Sequence, residues 1–181
     1  MPKNELQKIW NNDIELPYRE KVENLQQVLI DYCEDNNLDI DLPEKNRKTV
    51  YPSYATYNHY FSNGLYIREA FFKKNYLGFT VIHNTANPLF LMKGKIAFSS
   101  EEGVQELTAP IHILTKSGSK KIVLVVEDCV VVNVHPNPNG LKDLKQIEDE
   151  VYSTTFKEYD NLKAEDFWEK WEAIKKNNIE E

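Results

Sequence analysis

His83 and His135 stand near the two ends of a long run of β-type sequence, and imidazoles brought together by a fold are well suited to move a proton near neutral pH. No nucleophile and no carboxylate pair is set beside them by spacing. Acid–base work by the pair is therefore one reading, and a pair of hydrogen-bonded core histidines is the plainer one. His112 lies between Ile111 and Ile113 on one strand, which points it away from them and toward the surface. His59 falls in a run of aromatic residues. Arg68 and Glu69 adjoin on a strand and face opposite sides, so one of them is available to an interior. Cys33 and Cys129 make neither a disulfide framework nor a zinc pattern, which suits a reduced cytosolic chain. The isolated Gly94, Gly103, Gly118 and Gly140 form no phosphate-cradling loop, and neither Gly-x-Ser-x-Gly nor His-Glu-x-x-His occurs.

The elements that must position these side chains follow from hydrophobic period. Between Gly64 and Asn139 short β-rich segments alternate with turn signals: 65–72, 78–83, 89–92, 95–98, 104–107, 111–115, 121–126 and 129–135. Ser99 to Gly103 reads as a hairpin loop, Lys116 to Ser119 as a second reversal and Glu127-Asp128 as a third. Ala109-Pro110 ends a strand, because proline cannot donate to a ladder. Lys121–Val126 and Cys129–Val134 are apolar at consecutive positions, which predicts central strands covered on both faces. The count and spacing predict a mainly β sandwich or barrel.

Helices flank it. Pro17 opens a pattern in which Val22, Leu25, Val28, Leu29 and Tyr32 share one face, ending near Asp35. A long loop is expected from there to about Asn58. Its end carries four of the ten tyrosines, Tyr51, Tyr54, Tyr57 and Tyr60, which could seal an open barrel end or form a contact surface. After Pro136–Gly140 stops the sheet, Leu141, Leu144, Ile147 and Val151 resume a helical period. Ser153–Lys163 reads as a polar linker. Beyond it Phe167, Trp168, Trp171 and Ile174 line one side of a docking helix. The division is an N-terminal helix and tyrosine-rich extension over 1–61, a β-barrel over 62–139 and C-terminal helices over 140–181.

A chain of 181 residues, 41% hydrophobic, can bury one sizeable core. A formal net charge of −7 disfavours nucleic acid and anionic membrane surfaces as partners. The start at Met1-Pro2-Lys3-Asn4 lacks the apolar run of a signal peptide, and no stretch reaches the length of a membrane span, so secretion by that route is not expected.

Gly64-Leu65-Tyr66-Ile67-Arg68-Glu69, His83, Phe90–Ile96, Leu107–Pro110 and Glu127–Pro136 with the acidic helix after it resemble, in that order, the small cupin-like proteins of tailed bacteriophages. The resemblance covers roughly residues 64–152. It implies a double-stranded β-helix, a cupin-like jelly roll, with flanking N- and C-terminal α-helices and a barrel pocket that in many relatives holds a divalent transition metal. Carried over residue by residue, His83 matches the first ligand position and His135 the last. Asn87 stands as the possible third, where relatives have a second histidine, and no glutamate follows at the family's spacing. Two imidazoles and an amide make a poor cage. No resident cofactor is therefore expected, and no catalytic residue is assigned. The resemblance implies a non-catalytic binding or assembly protein of a tailed phage, a virion accessory component. It would be oligomeric and contact its own copies or other structural subunits through Tyr51, Tyr54, Tyr57, Tyr60, Phe167, Trp168 and Trp171. Its place would be the host cytoplasm or the virion. The alternative is a metal-dependent cupin enzyme acting on a small polar substrate.

Overall fold

Antiparallel strands fill the middle of the chain in the computed structural model, which describes residues 16–35 and 55–179. Helix α1 (Tyr18–Asp35) precedes β1 (Ala55–Ser62), β2 (Leu65–Phe72), β3 (Leu77–Phe79), β4 (Ile82–His83), β5 (Asn87–Ser100), β6 (Gly103–Thr108), β7 (Ile111–Thr115) and β8 (Ile122–Pro136). Then come α2 (Leu144–Val151), β9 (Tyr152–Ser153) and α3 (Phe156–Ile179). The chain is mainly β with helices at both flanks, as its periodicity predicts. Tyr51 and Tyr54 lie outside the described residues.

The main sheet runs β1-β2-β8-β5-β6, with β3 added to β8 and β7 to β5; β4 and β9 form a separate short ladder. Two long strands organise it. The segments 89–92 and 95–98 are one strand, β5, and the segments on either side of Glu127-Asp128 are one strand, β8, so Glu127-Asp128 is not a turn. Register shifts between Leu91 and Ile96 mark bulges where the two strands bend together. Gly94 makes the bend possible: its φ is +84°, and a β-carbon there would collide with the Asp128 backbone. Residues from both sides of the bend, Leu91 and Val131 with Ile96, Phe98, Val125 and Cys129, meet in the largest apolar cluster. β8 is central, as expected, yet Leu124 is exposed, so the outer face of its first half is covered only in part, by α1 at Ile122.

Three other expectations change. Residues 55–62 form a strand rather than loop, because Tyr57, His59 and Phe61 alternate with polar residues and pair against β2. The reversal at Lys116–Ser119 is real, with Gly118 at φ +75°, but it is no hairpin: β7 pairs with β5 and the chain crosses to β8. The supposed linker after Ser153 is mostly helix. Thr155 caps this helix, its Oγ1 accepting from Glu158 N at 3.1 Å, and Glu158 reaches back to accept from Thr154 N at 2.9 Å.

Helix α1 packs Val22 and Leu25 on Phe79 and Ile122, and Tyr18 reaches Ser99 Oγ at 2.8 Å. The first turns of α3 bury Phe156 and Tyr159 against Ile82, with Tyr159 Oη 2.8 Å from Ser117 Oγ. Arg19 ties the two helices together, 3.0 Å from Asp160 and over the Phe156 ring. Among the described residues no helix is long and apolar enough to cross a membrane.

Candidate functional site

Pairing decides which side chains share the interior. Strand parity sets Tyr57, His59 and Phe61 of β1, Tyr66 and Arg68 of β2, Asn133 and His135 of β8, and Asn87 of β5 on the same face of the sheet. Tyr66 stands opposite His135, and Arg68 opposite Asn133. The short ladder supplies the rest, since His83 pairs with Tyr152. One end of the sheet's inner face is thus polar and aromatic where the other is apolar.

The ladder is held by Asn84. Its backbone N–H donates to Val151 O at 2.9 Å, its side-chain amide donates to Glu150 O at 3.0 Å, and its Oδ1 accepts from Ser153 Oγ at 2.6 Å. These bonds fix the end of α2 and β9 against β4, and so fix Tyr152 over the histidines. Asp143 caps the start of α2, accepting from Gln146 N. Ile147 and Val151 pack with Tyr66 and Tyr152 in one cluster.

The rings form a continuous column. His83 and His135 stack at 5.4 Å between centroids with 15° between planes. His135 stacks in turn on Tyr66 at 5.9 Å, and Tyr66 on His59 at 5.9 Å. Tyr152 meets both core imidazoles edge-on, and its hydroxyl lies 3.2 Å from His135 Nε2. At the other end His59 Nδ1 is 2.8 Å from the Tyr66 hydroxyl. The two histidines read from the sequence are therefore brought together, both buried.

Their surroundings keep them neutral. Burial lowers the pKa of His83 well below its ordinary value, and the imidazole of His135 and the cations Arg68 and Lys121 push it the same way. Burial, with Arg68 second, takes His135 down to about 3. The Tyr152 phenol is raised by burial and stays protonated. Arg68 holds its guanidinium over the rings of Tyr57, at 5.5 Å, and Tyr152, at 5.3 Å. Glu148 of α2 has its carboxyl raised by burial, with Arg68 opposing.

A transition metal does not fit this set. Asn87 accepts from Asn133 Nδ2 at 3.1 Å, which takes one lone pair of the only oxygen it could offer a cation. Among the described residues no three His, Cys, Asp or Glu side chains are gathered as a cation would require. The buried nitrogens His83 Nδ1, His135 Nδ1 and Asn87 Nδ2 nevertheless find no hydrogen-bond partner among the described residues. Among the described residues no carboxylate or nucleophile is bonded to the imidazole pair, and buried imidazoles kept neutral are poor proton acceptors.

The other candidate residues fall on surfaces or walls. Tyr57 is half-buried on the inner face, edge-on to Phe72 at 5.9 Å; Tyr60 faces outward with its hydroxyl 3.2 Å from Glu69. His112 is exposed, as expected, and Arg68 rather than Glu69 faces the interior. Phe167, Trp168 and Trp171 are 58%, 58% and 47% exposed on α3. Sequence reasoning missed Tyr66, Asn133 and Tyr152. Tyr66 and Asn133 were findable, since each stands two residues from another polar residue of the same face, Arg68 and His135.

A scan against family models finds no match, and a search of curated proteins finds none. Among solved structures the chain is similar to ectoine synthase from P. lautus, 11% identical over 62% of this chain and 86% of that one, with a TM-score of 0.45. It is also similar to the Clostridium difficile EutQ protein, 14% identical over 55% and 82% of the two chains, TM-score 0.42. A third is a cupin-2 domain containing protein from Shewanella frigidimarina, 11% identical over 49% and 86%, TM-score 0.41.

Proposed function

We propose that this chain is a non-catalytic, cupin-like binding or assembly protein that meets another protein chain through the outer half of α3. One observation carries the reading. Every residue from Phe167 to Lys176 is exposed, yet Phe167, Trp168, Trp171 and Ile174 are large, apolar and gathered on one side. A helical stretch of that length gains little stability in water from propensity alone and ordinarily owes its persistence to a packed apolar face. The interior supports the non-catalytic part, since its imidazoles are stacked, buried and neutral and have no carboxylate bonded to them among the described residues. A tailed-phage origin and a place in the virion are the finer part of this proposal, motivated by the sequence resemblance alone.

The test is a truncation after Lys163, which removes the aromatic stripe and keeps the buried Phe156 and Tyr159. A cut after Tyr152 would strip that cluster and unfold what it is meant to preserve. Association measured by size-exclusion chromatography and native mass should be lost while the thermal transition stays in place. Association that survives the cut removes α3 as the contact.

The two imidazole nitrogens without a partner among the described residues, His83 Nδ1 and His135 Nδ1, favour one second reading, a metal-dependent enzyme acting on a small polar substrate. The same native mass spectrum decides it. A stoichiometric cation lost in the His83→Ala/His135→Ala variant would replace the assembly reading with the enzyme.

A further inference from the structure

We infer that the partner of α3 is α3 of a second copy of this chain, laid antiparallel across a two-fold axis near Lys170. This rests on the contact-helix reading above and names its occupant. The charges along the exposed helix are lopsided: Glu165, Asp166, Glu169 and Glu172 come first, with Lys170 among them, and Lys175 and Lys176 come last. A parallel copy would set acids beside acids. An antiparallel copy sets the acidic turns of each helix beside the basic turn of the other, and the helix dipoles oppose as well.

The apolar residues choose the same alignment. Trp168 and Trp171 have their midpoint between Glu169 and Lys170, and Glu165 and Lys175 have theirs at Lys170. One antiparallel offset therefore places Trp168 against the copy's Trp171 and Glu165 against the copy's Lys175, twice each by symmetry. At 100° per residue Glu165, Trp168 and Lys175 lie toward one flank of the stripe, and a two-fold axis brings like flanks together, so the pairing is sterically consistent. Lys175 also bonds its own Glu172 at 3.1 Å, which leaves its ammonium placed along the helix edge. Lys170, on the other flank, faces its counterpart across the axis. That one unfavourable contact and the short stripe make the pair a weak, concentration-dependent dimer.

Sedimentation of the full chain from about 10 μM to about 1 mM should show a reversible monomer–dimer equilibrium. Trp168→Ala/Trp171→Ala should weaken the dimer by about 30-fold or more, as loss of central aromatic contacts does. Glu165→Lys alone should weaken it by about 10-fold, and Glu165→Lys/Lys175→Glu should recover most of that loss. All the changed side chains are exposed, and circular dichroism with the thermal transition checks that each variant folds. A chain that stays monomeric throughout, a dimer indifferent to the tryptophan changes, or a double charge reversal no better than the single one overturns the pairing. A monomeric chain whose outer α3 still engages a different purified protein would overturn self-pairing while leaving the contact-helix reading intact. Full-chain association that persists after the cut at Lys163 overturns both.

Discussion

The two ends of the sheet's inner face are built on opposite principles. At one end Leu91, Ile96, Phe98, Val125, Cys129 and Val131 fill the bend of β5 and β8 with aliphatic and aromatic carbon. At the other, His83, His135, Tyr66, Tyr152, Asn87 and Asn133 are as deeply buried but polar. The first end gains stability from every contact. The second must satisfy each polar atom it takes from water, and His83 Nδ1, His135 Nδ1 and Asn87 Nδ2 find no hydrogen-bond partner among the described residues. The apolar end holds the fold together, while the polar end keeps buried polar side chains at a cost in stability.

The largest blow to the comparison should come from the bend itself. Gly94→Ala forces a β-carbon against the Asp128 backbone at a positive φ, and a loss of about 2–6 kcal/mol is expected from the strain and overpacking together. Gly103→Ala, in open space at φ +106°, is the milder control. Chemical denaturation reads both, and equal losses would mean the close approach at Gly94 does not matter. Leu91→Ala should cost about 2–5 kcal/mol, since the residue is fully buried in the apolar cluster.

Acid should sharpen the contrast by attacking only the polar end. The folded-state pKa values of His83 and His135 are lowered, so the unfolded chain binds protons first as pH falls. Stability is full above the ordinary histidine value of about 6.5 and should decline below it at about 1.4 kcal/mol per pH unit for each imidazole, down to about 3 for His135. Replacing both with glutamine should flatten denaturation midpoints measured between about pH 6 and 4. An unchanged slope would assign acid sensitivity to the carboxylates instead.

Tyr152→Phe removes only the hydroxyl facing His135 and should cost about 1 kcal/mol. A loss as large as that of Leu91→Ala would show the ring column to be the true keystone. The smallest effect is expected at Cys129, whose thiol burial pushes up to about 11. Peptide mapping after iodoacetamide treatment of folded protein should find it unmodified.

Most strand positions were legible because alternation and turn residues are local signals. The continuity of β5 and β8 was not, since Gly94 and Glu127-Asp128 look like turns in sequence and act as bulges in space. The meeting of His83 and His135 was an implication of the cupin resemblance and not of the strand pattern. Tyr152 was legible from neither, because its strand is two residues long and its partner, His83, is 69 positions away. Two errors were avoidable. The period-two aromatic pattern of Tyr57, His59 and Phe61 marks a strand, and Thr155 to Glu158 marks a helix start.

Trp168 and Trp171 sit on the solvent-facing stretch of α3, and the third tryptophan, Trp10, lies outside the described residues. Ultraviolet emission from the two helix indoles will consequently follow whatever touches α3, shifting blue when that side is covered. Melting of the β-sheet body should alter their signal far less, so fluorescence and calorimetry on the same sample would watch different events.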